Sequence, residues 1–211
     1  MKRRLVCLTI LAAASCAVPR YTERDAPAFS ISLWVERNPD LDAQEILQAC
    51  REWSVKGVVC SLAQSPEVAD VRIMAQDSRC TPGKDGNITL AYAYHEGRIE
   101  LFIPCLRDGN KVDKELLHAV TVHEIGHVAG IWEHVTPGCG PKSPLHPSGQ
   151  HVCGRAVMNP LADRDLGYVT KTDALAFDLR ERGTSLLRQL RRDALGLGAN
   201  PPPPDCTLLR K

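Results

Sequence analysis

Strong charge of either sign is missing from this chain: 26 lysines and arginines stand against 25 aspartates and glutamates, a formal +1 over 211 residues. Without a polybasic stretch there is no electrostatic footprint for a phosphate backbone, so nucleic acid is not an expected partner. A membrane-spanning run is missing too, because the apolar segment at residues 5–14 is too short to cross a bilayer as a stable helix. The tail, residues 183–211, lacks the pattern of a further domain. It holds one expected helix at 185–195 with Arg188, Arg191 and Arg192 on a solvated face, then a Gly-containing stretch and Pro201 to Pro204, which read as an extended exit.

What stands at the start is an export signal. Met1-Lys2-Arg3-Arg4, the short apolar run and a small-residue end fit residues 1–16, with 17–27 as a short linker. Ala14-Ser15-Cys16 resembles the end of a bacterial lipobox, with Ala13 where leucine is more usual, so an acylated Cys16 and ordinary cleavage nearby are both open. Membrane contact is expected only through that anchor, and the protein is expected as a secreted, periplasmic or cell-envelope monomer. Removing Lys2, Arg3 and Arg4 takes the formal charge from +1 to −2 and leaves about 190 residues, enough for one filled core. Seven cysteines follow, Cys50, Cys60, Cys80, Cys105, Cys139, Cys153 and Cys206. Outside the cell they are expected to be bridged. Proximity suggests Cys50 with Cys60 and Cys80 with Cys105; seven is an odd number, so Cys206 in the tail, or Cys16 if it is retained without lipid, would pair unusually or stay free.

The chemistry is concentrated in His123-Glu124-Ile125-Gly126-His127-Val128-Ala129-Gly130, followed by Ile131-Trp132-Glu133-His134. With Asp113 as cap and Leu116, Leu117, Val120 and Ile125 as apolar face, the spacing predicts a helix with His123 and His127 one turn apart on one side. Two imidazoles so placed can grip one zinc ion. Glu124 beside the first can reach a water at that ion without occupying the coordination shell. Gly130 can take a backbone turn closed to residues with a β-carbon and end the helix.

Upstream, residues 29–35 alternate apolar and polar as a strand, Asn38-Pro39-Asp40 turns, and a helix is expected over 42–53. Further strands are expected at 69–74, 88–94 and 98–103. Downstream, residues 172–179 fit a capped helix. The whole reads as a mixed α/β layer.

About 25 residues after the histidines, Ala156-Val157-Met158-Asn159-Pro160 resembles the Met-turn of the metzincin peptidases. With the strand at Ala69-Asp70-Val71-Arg72-Ile73, the run 83–94 and Thr172-Asp173-Ala174-Leu175-Ala176, the order and spacing over residues 28–182 are similar to matrixin-type members. The resemblance implies an α/β (α+β) fold: a twisted sheet of about five strands, three main helices, and a cleft at the zinc between an upper and a lower part. It implies an exported zinc-dependent endopeptidase with one catalytic ion, Glu124 as general base, and Met158 as a packing floor. Leu90, Ala91, Tyr92 and Ala93 would form the cleft-edge strand on which a peptide or protein substrate lies as an added strand, and residues 159–168 would wall the pocket beyond the cleaved bond. Cys139 with Cys153 would clamp the loop between third ligand and Met-turn.

The departures from that family are specific. Its usual spacing puts the third ligand at position 133, where this chain has Glu133, with His134 one place on. Either the turn carries an extra residue and His134 binds, or Glu133 does. We favour His134, since three neutral imidazoles keep the zinc more electrophilic. If neither held, Asp163, Asp165 or His146 would be next. Members with a structural zinc often have histidine where Tyr92 stands, so no second zinc of that kind is expected, and His95, His118, His146 and His151 are expected to be solvent-facing or hydrogen-bonded. The short linker leaves no room for a latency segment. Two rival readings are a zinc peptidase of another clan, with Asp173 or Asp178 on a later helix as third ligand, and a non-enzymatic exported binding protein stabilised by zinc.

Overall fold

The computed structural model describes residues 18–25, 29–78, 80–84, 86–160 and 162–179. The expected helix at 185–195 and the Pro-rich exit lie outside them. Strand β1 (Phe29–Val35) is followed by helix α1 (Ala43–Arg51), strands β2 (Val58–Leu62), β3 (Val71–Gln76), β4 (Ala91–Tyr94) and β5 (Arg98–Phe102), helix α2 (Lys114–Val128) and helix α3 (Lys171–Leu179). The five strands form one mixed sheet in the order β2-β1-β3-β5-β4, parallel except for β4, which runs antiparallel to β5 at one edge. Five strands and three helices are the expected class. Alternate residues Ile31 and Leu33, Val71 and Ile73, and Ile99 and Leu101 are all fully buried, so one face of the pleat supplies the core.

Local chemistry sets the boundaries. Asp42 caps α1 by accepting from the Gln44 amide at 2.8 Å. The helix tightens into a 3₁₀ turn, Glu52–Lys56, that stops at Gly57. The strand after it, β2, escaped the sequence reading. It is an edge strand in which only Val58 is buried, so its side chains show no alternation to detect. A disulfide joins Cys50 of α1 to Cys60 of β2, and two more join Cys80 to Cys105 and Cys139 to Cys153. Strand β4 is shorter than 88–94, though the Leu90 carbonyl still accepts from the Phe102 amide at 2.9 Å. A two-strand ribbon, β6 (Arg107–Asp108) and β7 (Lys111–Val112), precedes α2.

Helix α2 begins at Asp113, whose carboxylate accepts from the Leu116 amide at 3.0 Å. From Ala119 to Gly130 every residue is buried, so the expected apolar face is part of a helix enclosed on all sides. Gly126 makes that enclosure possible. A β-carbon there would lie 2.3 Å from Met158 Sδ and 2.7 Å from the Trp53 ring. The methionine can move, but the indole is fully buried, donates to the Val122 carbonyl at 2.8 Å and stacks on Phe177 at 5.7 Å. Helix α3 starts with a reciprocal cap: the Thr170 amide donates to Asp173 Oδ2 at 2.8 Å and the Asp173 amide to Thr170 Oγ1 at 3.3 Å.

Gly126→Ala should therefore destabilise the fold by about 1–3 kcal/mol through overpacking, against the modest gain that Gly to Ala brings in an open helix. Urea unfolding of the two proteins measures the sign.

Candidate metal centre

One turn of α2 brings the His123 and His127 rings to 4.7 Å, nearly perpendicular. Each ring is oriented from behind. His123 Nδ1 lies 2.7 Å from the Val157 carbonyl oxygen and His127 Nδ1 lies 2.6 Å from that of Ile131. A carbonyl can only accept, so each Nδ1 carries the proton and donates, leaving the Nε2 lone pair free for a metal. Gly130, at φ 109°, ends the helix and sends the chain back beneath the rings.

That return places His134. Its Nε2 is 3.1 Å from His123 Nε2, and one nitrogen from each of the three rings falls within 4.8 Å of the others. A tetrahedral zinc with Zn–N near 2.0–2.1 Å separates its nitrogens by about 3.3 Å, so this donor set fits one such ion. Electrostatics agree. Burial pushes His123 down to about 3, helped by the neighbouring His127 and opposed by the Val157 carbonyl. Burial likewise pushes His127 down to about 4 and lowers His134. All three are thus neutral near pH 7, the form that coordinates. Glu133 is exposed and lies outside the group.

Glu124 is 6% exposed, and burial raises its carboxyl to about 8, against a bond from the Ala93 amide. Ala93 belongs to β4, so the carboxyl beside the first histidine is held on the outer strand of the sheet. On that strand Ala91 is buried and Tyr92 is 51% exposed, its ring edge-on to Phe102 at 5.7 Å.

Beneath the histidines, Met158 is fully buried against Gly126. Its turn is tied by three residues. Asp173 accepts from the amides of Val157 at 3.1 Å and Met158 at 2.9 Å. The Met158 carbonyl accepts from Val135 at 2.8 Å, and the Asn159 side chain donates to the carbonyls of Val135 and Gly154. The Cys139–Cys153 bridge spans the intervening loop.

The other candidate ligands are engaged elsewhere. Asp173 is fully buried on its four donors, Thr170 included. Asp178 pairs with Lys56 at 2.8 Å and His146 at 3.4 Å, and Asp163 and Asp165 both pair with Arg155. His118 Nε2 meets the Gly167 carbonyl at 2.9 Å and His151 Nδ1 meets that of Ser143 at 3.3 Å. Tyr168, at the end of the expected pocket wall, turns its hydroxyl to the Val18 carbonyl at 2.7 Å.

One residue was missed altogether. The Trp132 ring lies 5.9 Å from His127 at an interplanar angle of 11°, and His95, exposed as expected, packs its ring on the indole at 3.8 Å. The only sequence signal was an aromatic inside the turn that carries the extra residue.

No family model matches this chain, and no curated protein matches it. Among solved structures, one of myroilysin aligns over 79% of this chain and 98% of that chain, at 11% identity and a TM-score of 0.41. At that level of likeness the chemistry has to be read from the site itself.

For the metal-free protein the shifted groups of the site, three histidines and Glu124, fix a pH optimum of stability. Between about 4.5 and 6.5 the unfolded chain binds protons on His123 and His127, and on His134 in the same sense, while the native chain holds one on Glu124, so stability rises with pH. Between about 6.5 and 8 only the native Glu124 keeps its proton, so stability falls. Thermal unfolding of chelator-treated protein from pH 4.5 to 8 should peak near 6.5.

Proposed function

We propose that this chain is an exported zinc-dependent endopeptidase of metzincin, matrixin-like type, with His123, His127 and His134 as metal ligands and Glu124 as general base. The observation that carries the reading is a juxtaposition: three neutral imidazoles converge on one point, and the adjacent buried carboxyl is held at Ala93 on an edge strand. Zinc bound there would lower the pKa of a water and polarise a peptide carbonyl.

The chain's own groups supply the rest. The outer edge of β4 offers backbone donors and acceptors on which an extended peptide can lie antiparallel, which fixes the cleaved bond near Ala93 with little side-chain demand. Glu124 takes the proton of the attacking water on a carboxylate oxygen and returns it to the leaving amine, base first and acid second. Without a metal, burial raises its pKa to about 8; a zinc dication held by the three histidines would lower it and leave the carboxylate free to accept a proton at neutral pH. Met158 touches no reacting atom and serves as floor. Residues 28–182 form the catalytic unit in this reading. The three disulfides fit an oxidising compartment outside the cytosol.

Glu124→Gln should keep zinc and fold while hydrolysis of a mixed peptide library drops about 10²- to 10⁴-fold. Cleavage at near wild-type rate would remove Glu124 as base, and cleavage that persists under a zinc chelator would remove the metal. For the third ligand, His134→Ala should lose zinc on dialysis while Glu133→Ala retains it. Equal retention by both variants would contradict the ligand set.

A further inference from the structure

A groove of about 720 Å³ at the β2 edge of the sheet takes no part in this chemistry. Arg20, Arg24 and Arg51 line it, with Val58, Val59 and Cys60 of β2 along one wall. Glu52 also lines it but pairs with Arg20 at 3.5 Å. Among the described residues neither Arg24 nor Arg51 has an ion-pair partner, and both are exposed. The groove therefore presents two free guanidinium groups beside an apolar edge, where Val59 is 46% exposed.

The segment that forms its rim is fastened to the body at both ends. The Tyr168 hydroxyl donates to the Val18 carbonyl at 2.7 Å, and the Tyr21 amide donates to the Val169 carbonyl at 2.9 Å. The Asp25 amide donates to the Val55 carbonyl at 2.9 Å, and its carboxylate meets the buried Lys56 ammonium at 2.6 Å. Three residues lie between Arg20 and Cys16, the lipobox-like cysteine, a span of four chain steps and at most about 14 Å. An acyl chain at Cys16 would be tethered to the groove's rim by no more than that length. In the strand order β2-β1-β3-β5-β4, the cleft-edge strand β4 stands four strand spacings from β2, about 19 Å across the sheet.

We propose that this groove is a docking surface for anionic phospholipid headgroups, and that it holds the protein with β2 toward the membrane and β4 facing away. The guanidinium forks of Arg24 and Arg51 suit phosphate oxygens, and Val59 lies at the level of the interface. A cleft on the far edge stays open to substrate in the aqueous phase. The groove and its occupant are independent of the zinc reading; the cleft's access to substrate rests on it.

The test uses the chain from residue 17 onward, which keeps every contact described above and has no Cys16 to acylate, so binding reports the groove alone. Its far-UV spectrum and zinc content serve as controls. It should sediment with phosphatidylglycerol-containing vesicles at low salt at least tenfold more than with phosphatidylcholine vesicles. Arg24→Gln with Arg51→Gln should cut that partition about 30-fold, near 1 kcal/mol for each charge, and leave zinc content and spectrum unchanged. Millimolar inorganic phosphate should displace it no better than chloride at equal ionic strength. Equal binding to both vesicle types, or unchanged binding by the double variant, overturns the proposal. Selective displacement by phosphate overturns it as well, since the groove would then be a site for a soluble phosphoanion.

Discussion

The buried carboxylate of Asp173 is the constraint on which the site depends. It sits at full burial between α3 and the Met158 turn and takes bonds from the amides of Val157, Met158 and Thr170 and from the Thr170 hydroxyl. Burial raises its pKa, and the four donors work against that rise. Removing such a group would leave buried donors unsatisfied, each costing about 1–3 kcal/mol. The consequence runs directly to the histidines, because the Val157 carbonyl orients His123 and the Met158 carbonyl holds Val135, next to His134.

A second constraint acts from the opposite side. Gly126 lets α2 settle on Met158 and Trp53, and the same helix turns Glu124 toward β4. The three imidazoles, the Glu124 carboxyl and the sheet edge are thus referenced to one enclosed helix. Burial depresses the proton affinity of the imidazoles and raises that of the carboxyl, so one low-dielectric environment shifts the two kinds of group in opposite directions.

Much of this was legible in the sequence, and for physical reasons. The i, i+4 spacing of His123 and His127, the Asp113 and Asp42 caps, and the alternation in β1 and β3 are local signals carried by adjacent residues. The Cys139–Cys153 pairing followed from where a clamp was needed. What stayed hidden depends on partners distant in the chain. Strand β2 is defined by its pairing with β1 rather than by its own pattern, and Asp173 shows its part only when the turn at Met158 is folded against it. Trp132 acquires its place from His127 and His95, neither of which predicts an aromatic neighbour. The choice between Glu133 and His134 was open for the same reason: a one-residue shift in a loop changes which side chain faces the other histidines, and the path after Gly130 brings His134 to them.

The central claim is that one zinc ion sits on three imidazoles supplied by α2 and the turn that follows it. Anomalous diffraction from zinc-loaded crystals, collected at the zinc edge, tests this most directly. The account predicts one strong peak about 2.0–2.1 Å from Nε2 of His123, His127 and His134. A peak bound by a Glu133 oxygen in place of His134, or one centred away from His123 and His127, would contradict it.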